Sequence, residues 1–110
     1  MNNSDMEKAI ALQLVTDAIA AGYTIDVWNG GDEAEATRLD NVAAVTKELM
    51  HTDEDKLVIR KADGQAIGWV YLVYGNGADV ITDYTANEET RSVCRRAEVL
   101  AGGFNARLAG

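Results

Sequence analysis

The sequence predicts an α+β domain in which an antiparallel sheet of four to five strands packs with about three helices, in the order α-β-(β)-α-β-β-β-α. Two observations carry this. Leu57 to Tyr84 reads as three strands joined by tight turns, because Asp63-Gly64 and Asn76-Gly77 are pairs that accept the positive φ angles of a two-residue hairpin. On either side of this meander, capping residues open segments whose apolar positions recur at helical spacing.

Ser4-Asp5-Met6-Glu7 fits a capping box, in which the serine takes an N–H of the first turn and the glutamate reaches back. The helix it opens is expected to run to about Ala21, with Gly22 in the left-handed position that ends it. Met6, Ile10, Leu12, Leu14, Val15 and Ile19 cover most of its circumference. Such a helix packs on more than one side, in the core or against a second subunit. Tyr23, Ile25 and Val27 then alternate with Thr24 and Asp26, the pattern of a half-buried strand. Asn29-Gly30-Gly31-Asp32 is a turn, after which Glu33 to Arg38 reads as a second strand or as the start of a helix.

Asp40 is placed to cap a short helix carrying Val42, Val45 and Leu49 on one stripe, with Lys47 and His51 near its partially negative end. Asp53-Glu54-Asp55 reads as a solvated loop before the meander. After it, Thr85-Ala86-Asn87-Glu88 offers another capping box, and Val93, Ala97, Leu100, Ala101 and Phe104 form an apolar stripe. Gly102-Gly103 is expected to end or loosen this last helix, leaving a frayed tail over about 103–110 of a single domain.

With two-residue turns, Leu57, Ile59, Val70, Leu72 and Ile81 share one face of the meander. Val58, Arg60, Ile67, Trp69, Tyr71, Val73, Val80, Thr82 and Tyr84 share the other, with Trp69 opposite Tyr84 and Tyr71 opposite Thr82. Helices over the aliphatic side would leave the rings open to a partner. The alternatives are an aromatic core side, or a sheet covered on both sides. A one-residue bulge at Gly75-Asn76-Gly77 would exchange the faces of the last strand.

The formal net charge is −8, with fifteen acidic and six basic side chains in residues 1–84. Such a field repels phosphate backbones, so direct nucleic-acid binding is not expected; it suits solubility or a basic partner. The single cysteine, Cys94, rules out an intrachain disulfide. No signal-peptide pattern and no run long enough for a membrane span is visible, so a cytoplasmic protein is expected.

Chemical motifs are sparse. His51 is the sole histidine, and Cys94 reads as a buried thiol. Asp53-Glu54-Asp55 lacks the glycine and closing glutamate of a calcium loop, and Asp32, Glu33 and Glu35 form a similar cluster. Gly75-Asn76-Gly77 reads as a hairpin, not a phosphate cradle. Asp79 and Asp83, four apart on a strand, would point to one side as an acid and base pair. Arg91, Arg95 and Arg96 are expected to pair with acidic neighbours. No cofactor, metal or catalytic set is assigned.

Thr52 to Val58 (TDEDKLV) followed by Val73 to Asn87, which ends in DVITDYTAN, resembles a group of small uncharacterised phage- and prophage-encoded proteins. The resemblance covers mainly the C-terminal half. It implies expression in the bacterial cytoplasm during phage or prophage life, and action by binding a host or phage protein. The expected function is therefore a non-enzymatic protein-binding module that blocks a host defence or nucleic-acid-handling protein. Its candidate contact residues are Trp69, Tyr71, Tyr84, Asp53, Glu54 and Asp55. A DNA-mimic variant would need the acidic clusters at 32–35, 40, 53–55 and 63 to line one extended surface. The alternatives are a homo-oligomeric accessory protein, with the sheet face making a homodimer, and a small metal-dependent hydrolase using Asp79, Asp83, Asp53 or His51.

Overall fold

Alternation and helical periodicity resolve into eight elements in a computed structural model that describes residues 3–30, 34 and 36–109, and the side chains of 4–30, 34 and 36–106. In chain order they are α1 (Asn3–Ala20), β1 (Thr24–Trp28), β2 (Ala36–Leu39), α2 (Val42–Lys47), β3 (Glu54–Arg60), β4 (Ala66–Val73), β5 (Ile81–Tyr84) and α3 (Glu88–Ala109). This is the predicted α+β order. The strands form one antiparallel sheet, β2-β1-β3-β4-β5. Asp32, Glu33 and Glu35 lie outside the described residues. No helix among the described residues is long and apolar enough to cross a membrane.

The aliphatic side of the sheet is the core. Ile25, Val27, Leu57, Ile59, Val70 and Leu72 join Ile10, Leu14, Val15, Ala18, Val93, Cys94 and Ala97 in one buried cluster. Fully burying each large aliphatic side chain contributes about 1.5–3 kcal/mol. Helix α1 packs on α3, α2 and β1, as its broad apolar surface requires. It stops at Gly22 (φ +92), where Tyr23 N–H bonds to Ala18 O and Gly22 N–H to Ile19 O, satisfying its last carbonyls.

Three local expectations are corrected. Ser4 lies inside α1, and the Glu7 carboxylate, instead of closing a capping box, accepts the N–H of Gly75. Asn41, not Asp40, caps α2, its Oδ1 accepting the Ala44 N–H at 2.8 Å. Asn87, not Thr85, caps α3: its Oδ1 takes the Thr90 N–H at 2.8 Å, and its amide donates to Ile67 O at 2.6 Å. An asparagine that satisfies both a helix N–H and a strand carbonyl outcompetes a threonine two residues earlier, and Thr85 accepts the Trp69 N–H instead.

Helix α3 also runs through Gly102-Gly103 to Ala109 instead of ending there. Phe104, just beyond the pair, is buried in the core and holds the helix in register. A Cβ at either glycine would meet nothing within 4 Å. Gly102→Ala and Gly103→Ala are therefore each expected to stabilise the fold by about 0.5–1 kcal/mol, since alanine has less backbone freedom to lose. Thermal melts followed by circular dichroism test this, and a lower melting temperature would contradict it.

The meander departs from two-residue turns. The first turn closes with Lys61 N–H to Gln65 O at 2.9 Å and Gly64 at φ +90. The second connection is a seven-residue loop, 74–80, between β4 and β5. Each hairpin absorbs an extra residue as a bulge. Ile59 pairs with Gly68 and Arg60 with Ala66, leaving Ile67 as the extra residue, buried in the core and not on the open side. Tyr71 pairs with Asp83 and Leu72 with Ile81, leaving Thr82 extra. The face exchange thus happens at Thr82, not in the glycine turn. It puts Tyr84 opposite Val70, on the helix side, while Val80 is buried in the loop.

Candidate functional site

Opposite the helices, the sheet presents the alternate residues of β1, β3, β4 and β5. One row crosses it in register: Trp28, Lys56, Tyr71, Asp83. The next row holds Asp26, Val58 and Trp69. Trp69 is 37% exposed, Asp83 is exposed, and Trp28, Lys56, Val58 and Tyr71 are half-buried. Both tryptophans of the chain therefore lie on this uncovered face. Trp69 is steadied from below: its N–H donates to Thr85 Oγ1 at 2.9 Å, and its carbonyl accepts the Thr85 N–H at 3.0 Å.

Cross-strand contacts order the side chains. The Lys56 ammonium sits 5.2 Å from the centroid of the Trp28 ring, within range of a cation–π attraction. Tyr71 on the other flank of Lys56 donates its hydroxyl to Glu54, which raises its pKa above the usual phenol value; desolvation adds to this. Trp28, Gly30, Glu54, Lys56 and Tyr71 line a shallow hollow of about 210 Å³. Arg60 Nε pairs with Asp26 Oδ2 at 2.8 Å, and its Nη1 donates to Gly64 O at 2.9 Å. Asp26 Oδ1 also takes the N–H of Arg38, whose φ of 52 is a left-handed conformation that this bond secures.

Comparison with known proteins gives no matching family model, no matching curated protein and no matching solved structure. The side chains themselves carry the functional reading.

Of the candidate contact residues, the structure gathers Trp69, Tyr71 and Glu54 on the open face. Asp53 is exposed just before β3, at the end of that face. Tyr84 is excluded. It lies on the helix side, its phenol pKa raised by burial and by Glu98 of α3. Asp55 is excluded too, because Glu54 and Asp55 belong to β3 rather than to a loop, and Asp55 is wholly buried on the core side. Its Oδ2 accepts the Met50 N–H at 2.9 Å and the Tyr74 hydroxyl at 2.5 Å. Burial raises its pKa, against the lowering effects of those two bonds and of His51. The Tyr74 phenol is pushed far above its ordinary value by burial, by Asp55 and by Glu7.

Sequence reasoning missed Trp28 and Lys56. Trp28 continues the Thr24, Asp26 alternation, which was a usable signal, but only the β1–β3 pairing shows that this side is shared with Tyr71.

The hydrolase residues are not brought together. Asp79 lies in the loop before β5, its Oδ1 accepting from Asn105 of α3 at 3.4 Å, while Asp83 is on the open face. The bulge at Thr82 breaks the alternation that would have aligned them. His51 Nε2 donates to Lys47 O at 2.8 Å, capping the end of α2. Cys94 is buried and its thiol pKa is pushed up to about 12 by burial and Glu98, so it stays protonated at neutral pH. Among the described residues no group of three or more His, Cys, Asp or Glu could hold a metal ion. Arg96 pairs with Asp17 at 3.3 Å and Arg91 with Glu88 at 3.9 Å, as expected of the basic patch. A larger hollow of about 330 Å³ between α1 and α2 has Lys8 as the one titratable side chain in its lining.

Proposed function

We propose that this chain is a non-enzymatic protein-binding module that acts through the open face of its sheet. The observation that carries this reading is the gathering of Trp28, Trp69 and Tyr71 on the side that the helices leave uncovered. Aromatic side chains of this kind concentrate binding energy, because they bury large areas while losing few rotatable bonds. In the setting implied by the resemblance, the partner is a host or phage protein met in the bacterial cytoplasm. Blocking a host defence or nucleic-acid-handling protein is then the way in which binding would act. A continuous carboxylate surface that mimics DNA is disfavoured, since Asp55 points into the core and Asp26 is tied to Arg60.

Capture from a bacterial lysate, comparing wild type with Trp69→Ala and Tyr71→Ala, tests the reading. One defined protein is expected on the wild type at both low and high salt, and is expected to be lost from the variants. Both side chains project from the sheet surface, so each substitution is expected to cost no more than about 1 kcal/mol of stability. Retention of the same protein by the variants, or capture of none, would overturn the proposal.

A further inference from the structure

The charge pattern of the open face is self-complementary, and the geometry points to a second copy of this chain as its occupant. This rests on the reading of that face as a binding surface and names what covers it when the foreign partner is absent. Three neighbouring strands set the pattern: Lys56 on β3, Tyr71 on β4 and Asp83 on β5 lie side by side in one row. Adjacent strands are about 4.8 Å apart, so the Lys56 and Asp83 backbone positions stand at nearly equal distances on either side of Tyr71, and the flexible lysine side chain can swing from Trp28 toward a facing carboxylate. A two-fold axis running along β4 in the plane of the interface exchanges the two flanks. Lys56 of each copy then faces Asp83 of the other, Tyr71 meets Tyr71, and Trp69 meets Trp69.

Two such sheets pack face to face at about 10 Å, a separation that large side chains fill from both sides. The wider field agrees. The chain carries −8 overall, yet this face holds Lys56 and Arg60 against Asp26, Glu54 and Asp83, which is close to balance. Two copies can therefore meet here with most of their like charge directed away from the contact. A strongly basic partner would find its complement elsewhere on the molecule. In an isologous interface each pair occurs twice, so a change at one position is felt twice.

Sedimentation equilibrium of the full chain tests this from about 1 to about 200 µM, the range of a micromolar dissociation constant. Wild type is expected to dimerise. Lys56→Asp and Asp83→Lys are each expected to weaken the dimer by about tenfold or more, because like charges then oppose. The double variant, with the pair reversed, is expected to return to within about threefold of wild type. Trp69→Ala is expected to abolish association. Circular dichroism melts of all four confirm that they fold. A monomer throughout, a double variant as weak as the single ones, or a dimer indifferent to Trp69 would overturn the inference. A monomeric chain that still captures a foreign protein through Trp69 would remove the second copy alone and leave the binding reading standing.

Discussion

Asp55→Ala is expected to destabilise the fold by about 3 kcal/mol, because it strands the Met50 N–H and the Tyr74 hydroxyl inside the protein at about 1–3 kcal/mol each. The damage would spread from one atom. Met50 sits at φ 64, a left-handed conformation held by its bond to Asp55. Tyr74 opens the 74–80 loop, whose next residue, Gly75, is anchored on Glu7 of α1. Urea denaturation reads the loss.

Asp55→Asn separates hydrogen bonding from charge, since the amide oxygen can still accept both donors. The Asp55 pKa is raised in the folded state, so the folded protein holds the proton more tightly than the unfolded chain. The contribution of this group to stability is thus fully present below its unfolded value and is lost as the pH rises through the folded value. The asparagine variant should match wild type in acid and gain on it as the pH approaches neutrality. Denaturation midpoints of the two proteins over about pH 3 to pH 7 check the sign. A gap that instead opens toward acid would show that the two hydrogen bonds outweigh desolvation.

Gly68→Ala is expected to cost about 2–3 kcal/mol, the upper range for overpacking a filled core. A Cβ there would fall 2.3 Å from Thr90 Oγ1, 2.8 Å from Thr85 Cβ and 2.9 Å from Thr85 Oγ1. Thr90 is fully buried in the first turn of α3, so the surrounding packing leaves its side chain little room to give way. Glycine at this position lets β4 and the start of α3 approach closely. Thr90→Ala removes the nearest atom, and the double variant Gly68→Ala/Thr90→Ala should recover part of the loss; Thr85 still crowds the site. Chemical denaturation of the four proteins closes a double-mutant cycle. An undiminished Gly68→Ala protein would mean that the helix start yields freely.

Much of this architecture could be read directly. Gly22 terminates α1 because a left-handed residue is needed there, and Ile25, Val27, Leu57 and Ile59 alternate because the buried face of a strand has a period of two. Trp69 and Tyr71 follow the same rule outward. Other features were not legible. The bulges at Ile67 and Thr82 leave no signature in the hydrophobic period, yet the first turns Ile67 itself to the core side and the second exchanges the faces of Asp83 and Tyr84, and so Tyr84 left the aromatic side. Asp55 reads as a solvated acid because nothing nearby in sequence reveals that Met50 and Tyr74 will converge on it.

The chain alone determined what local physics governs: which segments coil, which extend, and which side of each strand is greasy. The folded molecule decided what depends on groups distant in sequence meeting one another. Strand order brings Trp28 alongside Lys56 and Tyr71, and the helices cover the aliphatic side and leave uncovered the face that carries both indoles. Periodicity is a property of a few consecutive residues, whereas register and burial are settled only once separate segments compete for the same space.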